Sequence, residues 1–115
     1  MLPSHLPQQA ALACELVTAL ADYEAGLRRL LHAWDADLYR ELSDQFDRMQ
    51  LMVPALPQLT LGWTELLISR AELMHALWTV GPERSSGKVI ACHAQHEAVL
   101  RDVVRKCLPY AAPLQ

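Results

Sequence analysis

Glycine and proline interrupt the interior of this chain at two places, and that spacing limits what it can fold into. Pro54-Ala55-Leu56-Pro57 ends one stretch, because neither proline can continue a helix and each disfavours helix in the residue before it. Gly81-Pro82, followed by Ser85-Ser86-Gly87, ends another. Between the breaks apolar residues recur at steps of three and four rather than two, so strands are not expected. At 115 residues the chain makes one domain that can bury a core without disulfide or metal staples. The expected fold is all-α: an antiparallel bundle of three to four helices with a long first helix.

The first segment runs from about 7 to 53 and carries Leu12, Leu16, Leu20, Tyr23, Leu27, Leu30, Trp34, Leu38, Leu42, Phe46 and Met49. Steps of three and four hold this stripe on one face up to Trp34; repeated steps of four then swing it by roughly 60°. The helix therefore bends, or breaks near 34–36, where Asp35 is suited to cap a second helix. No glycine or proline lies between Gly26 and Pro54, which favours one continuous, bent helix. The second segment, about 61–80 behind Thr60 as a cap, has an apolar arc of Trp63, Leu66, Leu67, Leu73, Met74, Leu77 and Trp78. An arc that wide packs against two neighbours. The third, about 83–108, places Val89, Cys92, Val99, Leu100, Val103 and Cys107 on one face. Short loops make these neighbours antiparallel. The tail, 109–115, holds Pro109 and Pro113 and reads as extended.

Composition narrows function mainly by exclusion. A net charge of −3 with eight arginines and two lysines scattered along the chain provides no basic stripe for nucleic acid. The arginine bias suits a GC-rich bacterial genome. No apolar run reaches the ~18 residues of a membrane span, and the first residues lack the pattern of a signal peptide, so the expected address is cytoplasmic. Cys14, Cys92 and Cys107 have no ligand or redox spacing and read as reduced thiols. No phosphate loop or nucleophile elbow is present, so neither catalytic residues nor a cofactor is expected.

Three patterns could carry chemistry. Glu72-Leu73-Met74-His75 has the Glu-x-x-His spacing of di-iron bundles, but in a single copy on the polar side of its helix. Cys92 and His96 share a helix face, yet four zinc ligands cannot be assembled around them, so no metal is expected. His75-Ala76-Leu77 resembles the phosphorelay histidine of histidine-phosphotransfer domains. Leu77-Trp78-Thr79 then stands where that family has Leu-Lys-Gly. A signalling bundle using His75, or a small-ligand or metal-binding bundle around Arg70 and His96, remains the alternative function.

Arg70 and His96 fall at the centres of their helices' apolar arcs. Antiparallel register about Gly81 sets them opposite one another, and register about Pro54 brings Glu41 and Gln45 to the same level. These four residues are expected to form a buried polar layer, with Arg70 paired to a carboxylate, Glu41 first and Asp44 or Glu97 next.

The main functional expectation comes from a mismatch of lengths. A continuous first helix would extend roughly 40 Å beyond the cover of the second. Leu16, Leu20, Tyr23, Leu27, Leu30 and Trp34 would then offer an apolar face to a protein partner or to a second copy in a homodimer. A first helix folded back near Trp34 as a fourth helix is the rival. The expected function is therefore helical protein binding, with no nucleic acid or membrane as partner.

Trp34-Asp35 near the middle of the first segment, followed by Leu38 and Glu41-Leu42, resembles the FliT-like flagellar type III export chaperones. Those are small cytoplasmic helical bundles that hold flagellar subunits before export. In this chain Ala33 precedes the Trp-Asp pair and the leucine falls one position late. The likeness in architecture spans about residues 8–80 and reaches none of the family's binding residues. It implies an export-chaperone-like or self-associating adaptor role.

Overall fold

The computed structural model describes residues 6–80 and 86–111. Four helices fill nearly all of that length: α1 Leu6–His32, α2 Ala36–Gln50, α3 Thr60–Val80 and α4 Gly87–Ala111. Two 3-10 turns, Val53–Ala55 and Pro57–Leu59, join α2 to α3. No strand occurs among the described residues.

The continuous first helix is not what forms. The chain leaves α1 after Ala33, whose N–H still reaches the Arg29 carbonyl, and restarts at Ala36. Asp35 makes this possible without glycine or proline. In extended conformation (φ −146°, ψ 112°), it accepts bonds from the backbone N–H groups of Asp37 and Leu38 at 2.9 and 3.3 Å. Two otherwise orphaned donors at the head of α2 are thereby satisfied. The apolar stripe, shifted by repeated steps of four, then faces α1 instead of running past it.

Side-chain contacts fix the directions. Gly26 lies against Leu42, while the Gln45 amide donates to the Ala19 carbonyl at 3.4 Å, so α1 and α2 are antiparallel. Phe46 stacks on Trp63 and Tyr39 meets Trp78, so α3 runs back against α2. Gly62 touches Val103 and Ser69 touches His96, so α4 reverses again. The result is an up-down-up-down bundle measuring 54 × 24 × 20 Å, with α4 close to both α1 and α3. The backbones of α2 and α3 keep a wider separation, and large side chains fill the seam.

Smaller differences have local causes. Thr60 is the first residue of α3 rather than a cap, and its hydroxyl donates to the Pro57 carbonyl. The third predicted helix begins at Gly87 in the described chain; positions 81–85, where it was expected to start, lie outside the described residues. Its far end passes Pro109 and reaches Ala111, where an extended tail was expected. The Gln58 N–H donates to the Tyr110 hydroxyl at 3.0 Å and ties this last turn to the α2–α3 connection. Residues 112–115 of that tail lie outside the described residues. No single helix among the described residues is long and apolar enough to cross a membrane.

Candidate functional site

The α1 stripe serves the inside of the bundle. Leu16, Leu20, Tyr23, Leu27 and Leu30 are all at most 1% exposed, covered by the folded-back α2 and by α4. A docking face built from these side chains loses its premise, because the length mismatch that left them uncovered disappears when α2 folds back. Of the six residues expected to meet a partner, only Trp34 keeps accessible surface, at the α1–α2 corner.

A buried polar layer does form, with different membership. His96 is 0% exposed and engaged at both ring nitrogens: Nε2 lies 3.0 Å from the Tyr23 hydroxyl and Nδ1 2.7 Å from the Ser69 hydroxyl. Ser69 donates its single proton to the Leu66 carbonyl at 3.1 Å. The imidazole must therefore carry its proton on Nδ1 and accept from Tyr23 at Nε2, a tautomer assigned by donor accounting. Each proton then has one acceptor. Burial lowers the His96 pKa to about 4, and the positive charges of His93 and Arg70 push the same way against Glu97. Burial raises the Tyr23 phenol to about 12, against the pull of Arg70. The layer is thus an uncharged relay with a cation beside it.

Arg70 has no carboxylate partner among the described residues. Its guanidinium carbon stands 4.5 Å from the Phe46 ring centroid, and one Nη donates to the Ser43 hydroxyl at 3.3 Å. Cation–π attraction and one hydrogen bond replace the expected ion pair, which half-burial permits where full burial would not. Its Nε is buried without a partner within the protein, as is Trp63 Nε1 on the other side of the same ring. Glu41 is exposed in a shallow groove between α1 and α2, beside Asp22 and Arg29. Gln45 lies on the α1 edge of α2. Asp44 points to solvent, and Glu97 is taken by Arg28 at 2.8 Å. Burial raises the Glu97 carboxyl, but the Arg28 hydrogen bond and nearby positive charge outweigh this and hold it below its ordinary range.

Ser69 and His96 have the atom types of a nucleophile and base. Here the serine proton points to a backbone carbonyl, and neither side chain is more than 3% exposed. Both His96 nitrogens are occupied, so none is turned toward a metal or ligand. His75 is exposed on α3, with exposed Trp78 one turn on.

The accessible surface with recognition character is elsewhere. Trp34, Tyr39 and Trp78 pack with ring centroids 5.4–6.1 Å apart where the α1–α2 corner meets the end of α3. Trp78 keeps 65% of its surface exposed. Along the same helix Leu61, Leu67 and Ile68 are exposed as well. Sequence reasoning credited Leu67 and Trp78 to the core because the α3 arc was wide. The missed signal is that Leu61 and Ile68, seven apart, extend apolar character around the far side of α3. No protein-family model, curated protein or solved structure matches the chain.

Proposed function

We propose that this protein is a helical protein-binding module whose docking surface is the outer face of α3 together with the Trp34–Tyr39–Trp78 corner. The observation that carries the reading is Trp78, a tryptophan left 65% exposed yet oriented by two aromatic neighbours. Tryptophan and tyrosine held in place are the residues that most often anchor protein interfaces, because they bury much area at little entropic cost. Leu61, Leu67 and Ile68 add exposed aliphatic area on the same outer side of α3. The Trp34-Asp35 resemblance to export chaperones fits this reading, with Asp35 shaping the corner and Trp34 forming part of it. A cytoplasmic adaptor or export-chaperone-like role is the form we favour, with a helix of another protein as the bound element.

A photo-crosslinking residue placed singly at Ile68, at Leu67 or at Glu15 in the producing cell tests the proposal. The expected result is one discrete adduct from the two α3 positions, identified by mass spectrometry, and none from Glu15 on α1. An adduct weighing twice the chain would make the partner a second copy. Absence of adducts at α3, or equal labelling at Glu15, would refute the proposed surface.

A further inference from the structure

The charges bordering the α3 face specify the kind of helix it suits, an inference that rests on the docking reading above. At about 100° per residue, Leu67 and Trp78 lie next to the α2 seam, and Ile68 and Leu61 lie further round toward α4. Beyond that band, on the α4 side, come Glu65 and Glu72, both exposed. Beyond its other edge, across the seam, come Asp47 and Asp44 of α2, also exposed. A largely apolar face, which also includes Thr64, Ala71 and His75, is therefore bordered on both sides by carboxylates.

These four carboxylates have no ion-pair partner among the described residues, a property they share with Glu15, Asp22 and Glu41 near α1, but only these four border the apolar face of α3. By contrast, Glu24 and Glu97 are matched by Arg28, Asp37 by Arg40, and Asp102 by Arg105 and Lys106. Arg40 shares the α2 edge but is held by Asp37. Arg70 lies in the seam floor against Phe46. In all, α2 and α3 carry six carboxylates against three arginines, whereas α1 and α4 carry five against six basic residues.

We infer that the partner is an amphipathic helix with an apolar stripe flanked on both sides by lysine or arginine. Its stripe covers Ile68, Leu67 and Trp78, while its flanking cations reach Asp44 and Asp47 on one side and Glu65 and Glu72 on the other. Like-charged flanks are repelled, which gives the face selectivity as well as attraction.

Three helical peptides of about 20 residues, identical in their leucine stripe and flanked by lysine, glutamine or glutamate, test this. Fluorescence of Trp34 and Trp78 reports binding directly. The lysine peptide is expected to bind at least about tenfold tighter than the glutamine peptide at low salt, an advantage that shrinks as salt is raised. Asp44→Asn, Asp47→Asn, Glu65→Gln and Glu72→Gln combined should abolish that advantage while circular dichroism stays helical. Glu15→Gln with Asp22→Asn should leave it intact. Equal binding of the lysine and glutamine peptides, both weakened by Ile68→Glu, overturns the charge inference and leaves the docking face standing. Lysine preference unchanged in the fourfold variant overturns the inference too. Binding of no peptide, or binding indifferent to Ile68→Glu and Leu67→Glu, overturns both readings.

Discussion

Acid should destabilise this protein through one residue well before its carboxylates titrate. His96 is sealed in the core as the neutral, Nδ1-protonated ring, between the Tyr23 and Ser69 hydroxyls. Protonating Nε2 would set a donor against the Tyr23 hydroxyl, beside Arg70 and His93. Its pKa is lowered to about 4 in the fold, from 6.5 for an unperturbed histidine. The unfolded chain therefore binds the extra proton first. Stability is fully present above the unfolded pKa, falls as pH drops from about 6.5 toward 4, and is flat with respect to His96 below that. The whole displacement is worth about 3 kcal/mol, of which about 2 kcal/mol is lost between pH 7 and pH 5. Urea melts at those two pH values measure it. His96→Leu removes the titrating group; it costs about 1–3 kcal/mol at pH 7 by orphaning the Tyr23 hydroxyl. In that variant the loss between pH 7 and 5 should nearly vanish. A variant that loses as much as the parent over this interval would show that His96 is not neutral in the core, and the assigned relay would fall with it.

Further expectations concern the corner, the close helix contacts, the cation and the thiols. Asp35→Ala should cost about 1 kcal/mol in denaturant melts, since two N–H groups of α2 lose their acceptor; no loss would mean that the corner does not depend on the cap. Gly62→Ala should stabilise by up to about 1 kcal/mol, because a Cβ there meets Val103 at an ordinary 3.4 Å; Gly26→Val should destabilise, because a Cβ there already falls 2.6 Å from Leu42. Arg70→Met should change stability by about 1 kcal/mol or less, whereas an ion-paired arginine would lose 3–5 kcal/mol on truncation; a large loss in thermal melts would mean that an acid does reach it. Thiol titration should find Cys14 reactive in the native state, Cys92 slower, and Cys107 protected until unfolding, since burial raises its pKa to about 11; rapid native labelling of Cys107 would contradict its place in the core.

Much of this fold is readable from spacing alone. Threes and fours between two proline–glycine breaks specify helices, and short connections specify antiparallel neighbours. The levels follow as well: His96 meets Ser69, one residue from the expected Arg70, and Arg70 meets Ser43, between the expected Glu41 and Gln45. Rotation about each helix axis is what spacing leaves open. Gln45 and Ser43 border opposite edges of the same apolar arc of α2. Nothing along the chain says which edge turns to α3, because that depends on how four helices close around a core. The break at Asp35 is a similar case. A continuous helix and a capped corner satisfy the local sequence about equally, and burial of the whole α1 stripe beneath α2 and α4 decides between them. That choice also relocates the accessible apolar surface. The stripe that periodicity marks most strongly is consumed by the core, and the face left outside belongs to α3, whose apolar residues extend well beyond its buried arc. Sequence determines which residues are apolar and at what period; only packing determines which of them the other helices leave uncovered.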